Sequence, residues 1–269
     1  VSAPNTVPGE QPPEHVLKAF GLGAEAPRRL AGSRSWYCDE VVLRPVSDRR
    51  HAVWLGSVLD RLDVPELRIA RPVRSTDGRT LISGWQAYRY LSGTPAVDPD
   101  VLILTSIRLH QATSRLDEPP PESNGDGIAA EAARLAWGEQ DTLVDEEKGG
   151  RWFEILAGVR EPVSLPDQLV HGQLYDTVLF DAEGDPGVVD FEPHYRPAEW
   201  ATAVAAVDAM AAGVADGELL RRWAHLPEWP QMLLRAILFR LAYNALDPNS
   251  TREQLDSLRG VAHVVSELL

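Results

Sequence analysis

The spacing of apolar residues changes once along this chain of 269 residues, and that change constrains the fold more than any other feature. Up to Gly93, short runs of bulky and β-branched residues alternate with turn-forming pairs. After Asp98, apolar residues recur at intervals of three and four. A sheet built early and a helical body built late make an α+β protein. The expected organisation is a flexible leader at 1–13, a β-rich lobe at 14–92 and a helical lobe at 93–269.

Within the first lobe, Val16, Leu17 and Phe20 before Gly21 predict a short helix. Arg28-Arg29-Leu30, Ser35–Cys38 and Val41–Arg44 predict a meander of strands. Trp54, Leu55, Val58, Leu59 and Leu62 predict a helix, with Asp48 at its N-cap. Leu67–Arg74 and Arg79–Ile82 flank Ser75-Thr76-Asp77-Gly78 and predict a hairpin. Arg68, Arg71 and Arg74 are expected on a solvated face or paired with acids of the helical lobe. In the second lobe, Val101–Ala112 and Gly127–Gln140 read as helices joined by an acidic, proline-rich loop at 117–126. A hairpin is embedded at 169–191, formed by Leu169-Val170, Val178–Phe180 and Gly187–Phe191 around a turn at 181–185. From Glu199 onward the pattern is helical.

Composition removes several function classes. Lysine and arginine number 26 against 40 aspartates and glutamates, a net charge of −14, so the surface does not attract phosphate backbones or anionic lipid in general. Neither nucleic acid nor a membrane is expected as a partner. The one cysteine, Cys38, cannot form an intrachain disulfide or a thiolate metal cluster. No run approaches the roughly 18 apolar residues of a membrane-spanning helix, and the N-terminal residues lack a signal peptide's layout. A cytoplasmic protein with a small-molecule ligand or a protein partner is expected.

Chemistry concentrates in His171-Gly172-Gln173-Leu174-Tyr175-Asp176-Thr177-Val178-Leu179-Phe180, followed by Val188-Val189-Asp190-Phe191. This segment resembles the catalytic and metal-binding loops of the aminoglycoside phosphotransferases, in which His-Gly-Asp leads to an Asn, a hairpin strand and a second Asp. More narrowly, Val189–Ala201, Gly84–Arg89 and Ala136–Glu139 resemble an actinobacterial branch of that superfamily with a degenerate catalytic loop. The resemblance spans nearly the whole chain past residue 13 and implies the two-lobe protein-kinase-like fold.

It also implies roles, position by position. The reaction of that family needs Mg²⁺ bridging the phosphates of ATP, a cation on them and a carboxylate orienting the attacking hydroxyl. The carboxylate's position holds Gln173, whose amide cannot take a proton near neutral pH. The metal-binding Asn position holds Thr177, a weaker ligand, and the second Asp is Asp190. The phosphate-gripping Lys position is Arg44, whose fork geometry differs from an ammonium. The helix after it offers no acid between Arg49 and Leu59, so Arg44 must find another partner. The phosphate-loop segment, Leu30–Trp36, has a single glycine. Adenine recognition is assigned to a hinge at Tyr88, Arg89, Tyr90 and Leu91, mainly through the backbone.

Asp176 and Glu192 are the acids near enough in sequence to stand in for Gln173. His171 is expected to organise the loop rather than react. His110 is expected to be buried and hydrogen-bonded, and Asp208 to anchor the backbone of the His171 loop. The leading reading is a pseudokinase or a repurposed small-molecule-binding protein. The alternatives are an active ATP- and Mg-dependent phosphotransferase acting on a small hydroxylated or amino substrate, and a non-kinase biosynthetic enzyme using the same cleft.

Overall fold

The computed structural model describes residues 11–30, 33–95, 98–116, 119, 121, 127–181 and 184–269. Outside them lie the leader up to residue 10, Ala31-Gly32 of the phosphate-loop segment, most of the 117–126 loop, and Ala182-Glu183. The chain folds as two compact units. One takes the chain up to Gly93 and then Leu179–Asp190; the other takes Thr94–Pro119, Gly125–Val178 and Phe191–Leu269.

In the first unit an antiparallel sheet runs in the order Arg28–Arg29, Trp36–Cys38, Val41–Pro45, Trp85–Arg89 and Pro72–Val73. Strand alternation gives it two distinct faces. Val41 and Leu43 join Cys38, Trp85 and Ala87 in a core with Val16, Leu17 and Phe20 of the Glu14–Ala19 helix. Arg44 is paired across the ladder with Gln86, and Val42 with Tyr88, on the other face. The helix Arg49–Arg61 begins where Asp48 Oδ1 accepts a hydrogen bond from His51 N (3.0 Å) and buries Leu55, Val58 and Leu59. Each such side chain contributes about 1.5–3 kcal/mol.

One expectation for this unit is corrected. Leu67–Arg74 and Arg79–Ile82 do not pair as a hairpin. Pro72, which has no N–H to donate, divides the first run: Arg68–Ile69 pairs in parallel with Gly187–Val188, while Pro72–Val73 pairs with Trp85–Arg89. Leu81–Ile82 also pairs with Trp85–Arg89, through a two-residue turn whose Ser83 (φ 47°) and Gly84 (φ 81°) both take the positive φ that a right-twisted hairpin needs. The three arginines agree with the solvated face expected of them as one alternative: Arg74 is exposed and Arg68 and Arg71 are partly so. Arg68 donates to Asp185 O and Ser92 O, Arg71 to Leu59 O and Asp60 O, and Arg74 to the Asp60 carboxylate.

The second unit centres on two largely apolar helices that are buried over most of their surface, Ala198–Ala211 and Trp229–Leu246. Pro99–Thr113, Ile128–Trp137 and Arg252–Ser266 pack around them. The strand at Leu169-Val170 extends over Gln168–His171, and its partner is Pro193–Arg196, with His171 opposite Pro193. The latter strand was not expected from sequence, and the Gly187–Phe191 strand shortens to Gly187–Val188.

Candidate functional site

The Gln168–His171 strand delivers His171, fully buried, to the start of the loop that holds most of the candidate residues. Its Nδ1 accepts from two backbone donors, Gln173 N and Glu192 N, both at 3.2 Å. That places the ring proton on Nε2, which lies 3.0 Å from Thr177 Oγ1 and donates to it. Thr177 Oγ1 in turn donates to Gln173 O (2.7 Å). One imidazole thus fastens both sides of the loop, and Phe191 packs on its ring with centroids 4.7 Å apart. Behind it, His110 Nε2 accepts from His171 N (3.0 Å), while its Nδ1 faces Ser106 Oγ, itself 2.8 Å from Thr202 Oγ1. Burial pushes the His110 pKa down to about 3, so it remains a neutral acceptor.

Gly172 is required at its place. A Cβ there would lie 2.3 Å from Cδ2 of His194, closer than any side chain tolerates. Gln173 and Glu192 are half-buried beside His171, whereas Asp176 is exposed. Among the described residues, Asp208 reaches the loop backbone through Arg240. Its carboxylate receives Arg240 at two points, one of them Nε to Oδ1 at 2.6 Å, and Arg240 Nη2 reaches Gly172 O at 3.5 Å. Burial raises the Asp208 pKa, and the Arg240 guanidinium opposes the shift. Tyr175 is also raised, by burial and by the charges of Asp176 and Asp208. Sequence reasoning missed Arg240; it is one of two cations, with Arg235, in the otherwise largely apolar Trp229–Leu246 helix, and that is the signal that marks it.

In the first unit, Arg44 finds the partner its helix does not offer. Its Nη1 lies 3.1 Å from Asp190 Oδ1, with side chains 34% and 39% exposed. Asp190 has φ 51°, a left-handed conformation uncommon outside glycine, at the residue where the chain leaves Gly187–Val188. The helix is tied to the sheet by Gln86 instead. Its Nε2 donates to Ala52 O (2.8 Å), its Oε1 accepts from Tyr88 OH (2.9 Å), and Gly56 leaves room for the amide. Gln86 was not singled out in the sequence; a glutamine in a strand whose both neighbours are apolar, Trp85 and Ala87, is its signal. Tyr88 is buried, and burial pushes its hydroxyl pKa up. Arg89 N and Tyr90 N donate to Arg71 O and Glu40 O, Tyr90 rests edge-on against Tyr37, and Leu91 is half-buried.

No protein-family model and no curated protein matches the sequence. Solved structures do match the fold. A thermostable mutant of aminoglycoside phosphotransferase APH(4)-Ia, in ternary complex with AMP-PNP and hygromycin B, superposes with TM-score 0.59 at 15% identity, over 93% of this chain and 96% of that one. The chain has the aminoglycoside phosphotransferase fold. Spectinomycin phosphotransferase APH(9)-Ia with ADP and spectinomycin matches at TM-score 0.57 and 12% identity, over 95% of this chain and 97% of that one. Amicoumacin kinase hAmiN with AMP-PNP, Ca²⁺ and Ami matches at 0.60 and 14%, over 95% and 93%.

Asp190 and Thr177, the residues expected to hold Mg²⁺, each have protein partners of their own. The Asp190 carboxylate carries a guanidinium, and the Thr177 hydroxyl is hydrogen-bonded to both His171 and Gln173 O. Among the described residues, no three His, Cys, Asp or Glu side chains gather as a metal-binding group. No helix among them is long and apolar enough to cross a membrane.

Proposed function

We propose that this protein uses a phosphotransferase fold to bind a small ligand and does not transfer phosphoryl groups efficiently. The Arg44–Asp190 ion pair carries the reading. Phosphoryl transfer is almost wholly positioning and electrostatics, with metal ions neutralising the charge that spreads over the transferred group. A carboxylate that already neutralises an arginine is a poor metal ligand, and the metal would face that arginine's charge. Gln173 adds to this, because an amide cannot accept the proton of an attacking hydroxyl. Thr177 belongs to the hydrogen-bonded framework of the His171 loop in this reading. Asp176 lies exposed on the turn after Gln173, where solvent competes with any hydroxyl it would orient.

The neighbours in fold act on or bind hygromycin B, spectinomycin and Ami, which favours a small molecule over a macromolecule as the ligand here. Turnover measured with ATP and Mg²⁺ over a panel of small hydroxylated and amino compounds should stay far below the roughly 1–100 s⁻¹ of kinases. Turnover in that range by the wild type overturns the reading. The double variant Gln173→Asp, Thr177→Asn should also remain slow while Arg44 sits on Asp190.

A further inference from the structure

We infer that the buried Gln86 amide is a latch that fixes the N-terminal half of the Arg49–Arg61 helix to the sheet independently of the Arg44–Asp190 ion pair, so that changes at the pair leave the helix in place. The ladder sets the two side chains next to each other, since Arg44 is paired with Gln86 across it. Among the described residues, the Arg44 side chain makes its ion pair with Asp190 and none with the helix. Gln86 makes the link to the helix, from Nε2 to Ala52 O at 2.8 Å, and Tyr88 OH holds the other end of its amide at 2.9 Å. Only 3% of Gln86 and 8% of Tyr88 is exposed, so water does not stand in for a lost bond. Lifting this half of the helix strands buried polar groups, which is costly.

The helix carries a matching feature. Glycine is the poorest helix former after proline, yet Gly56 lies inside the helix. A Cβ there would stand 3.3 Å from Gln86 Nε2, a tight approach to an amide already engaged with Ala52 O. The C-terminal half is held in another way. Arg71 Nη1 donates to Leu59 O (3.1 Å) and Asp60 O (2.8 Å), and Arg74 Nη2 pairs with the Asp60 carboxylate (2.8 Å), both partners of that pair being exposed. One end of the helix is thus fixed partly by exposed charge, which salt screens. The other is fixed by a buried neutral amide, which salt does not reach.

The test is amide hydrogen exchange of the full chain, read residue by residue by NMR, in wild type, Arg44→Met, Gln86→Met and the double variant Gln86→Met, Tyr88→Phe. Wild type is also measured in about 1 M NaCl, where screening is nearly complete. Amides of 52–57 are expected to keep the wild-type rate in Arg44→Met and in salt, and to exchange about fivefold faster in Gln86→Met. The double variant replaces both polar partners by apolar groups of similar shape and keeps the fold even if Gln86→Met alone does not. In it the amides of 52–57 should again be about fivefold faster while those of the Val41–Pro45 strand hold the wild-type rate, which a loss of general stability would not allow. Acceleration of 52–57 in Arg44→Met or in salt as large as in the double variant overturns the inference. So does equal acceleration of the helix and the Val41–Pro45 strand in the double variant, or no acceleration there at all.

Discussion

Each unit of the molecule contains an arginine on an aspartate, and the two pairs share their chemistry but not their setting. In the second unit Arg240 meets Asp208 at two points with both side chains about 15% exposed, at 14% and 15%. In the first unit Arg44 meets Asp190 at one point with more than twice that exposure. Burial makes the difference. An aspartate out of water depends on its cation, whereas an aspartate in reach of water has solvent as an alternative partner. The inner pair is therefore part of the framework under the His171 loop, and the outer pair is in reach of solvent.

The largest expected effect comes from breaking the inner pair. Arg240→Met leaves Asp208 without its cation in a buried site and should destabilise the protein by about 3–5 kcal/mol. Urea denaturation measures this, and adding Asp208→Asn should recover part of the loss. A smaller effect belongs to His110, buried in the same unit. Its folded pKa of about 3 lies below the ordinary histidine value near 6.5, so the unfolded chain binds the proton first. Stability is then full above about pH 6.5 and falls as pH drops toward 3, by about 2 kcal/mol at pH 5. Thermal melts across this range should show an acid limb that flattens in His110→Gln; equal limbs in the two proteins would place the loss elsewhere. The smallest effect sharpens the comparison from the other side. Arg44→Met should change stability by about 0–1 kcal/mol, since an exposed pair contributes little. A loss near that of Arg240→Met would erase the distinction between the two pairs.

Much of the fold was legible because local rules and tertiary structure agree. Asp48 caps its helix, Val41 and Leu43 alternate into the core, and the largely apolar Ala198–Ala211 helix is buried over most of its surface. Reading failed where a partner lies far away in sequence. Pro193-His194-Tyr195-Arg196 has neither strand alternation nor a nearby turn, and becomes a strand because Gln168–His171 offers it a ladder. Arg68–Ile69 likewise pairs with Gly187–Val188 rather than with its sequence neighbours. The candidate site was legible as a list of positions. The state of each was not, because sequence spacing does not reveal that Asp190 supplies the partner Arg44 lacks, or that the Thr177 hydroxyl is occupied by His171.

The His194 ring that leaves no room for a Cβ on Gly172 carries a lesson about inference from motifs. In His171-Gly172-Gln173, the first residue ties backbone together and the second fits beneath a neighbouring ring; neither need touch a reactant. Two of the three letters that advertise an enzyme are thus dictated by steric fit and loop closure. A motif search that weights all three equally counts architecture as reactivity, and here the third letter alone speaks to the reaction.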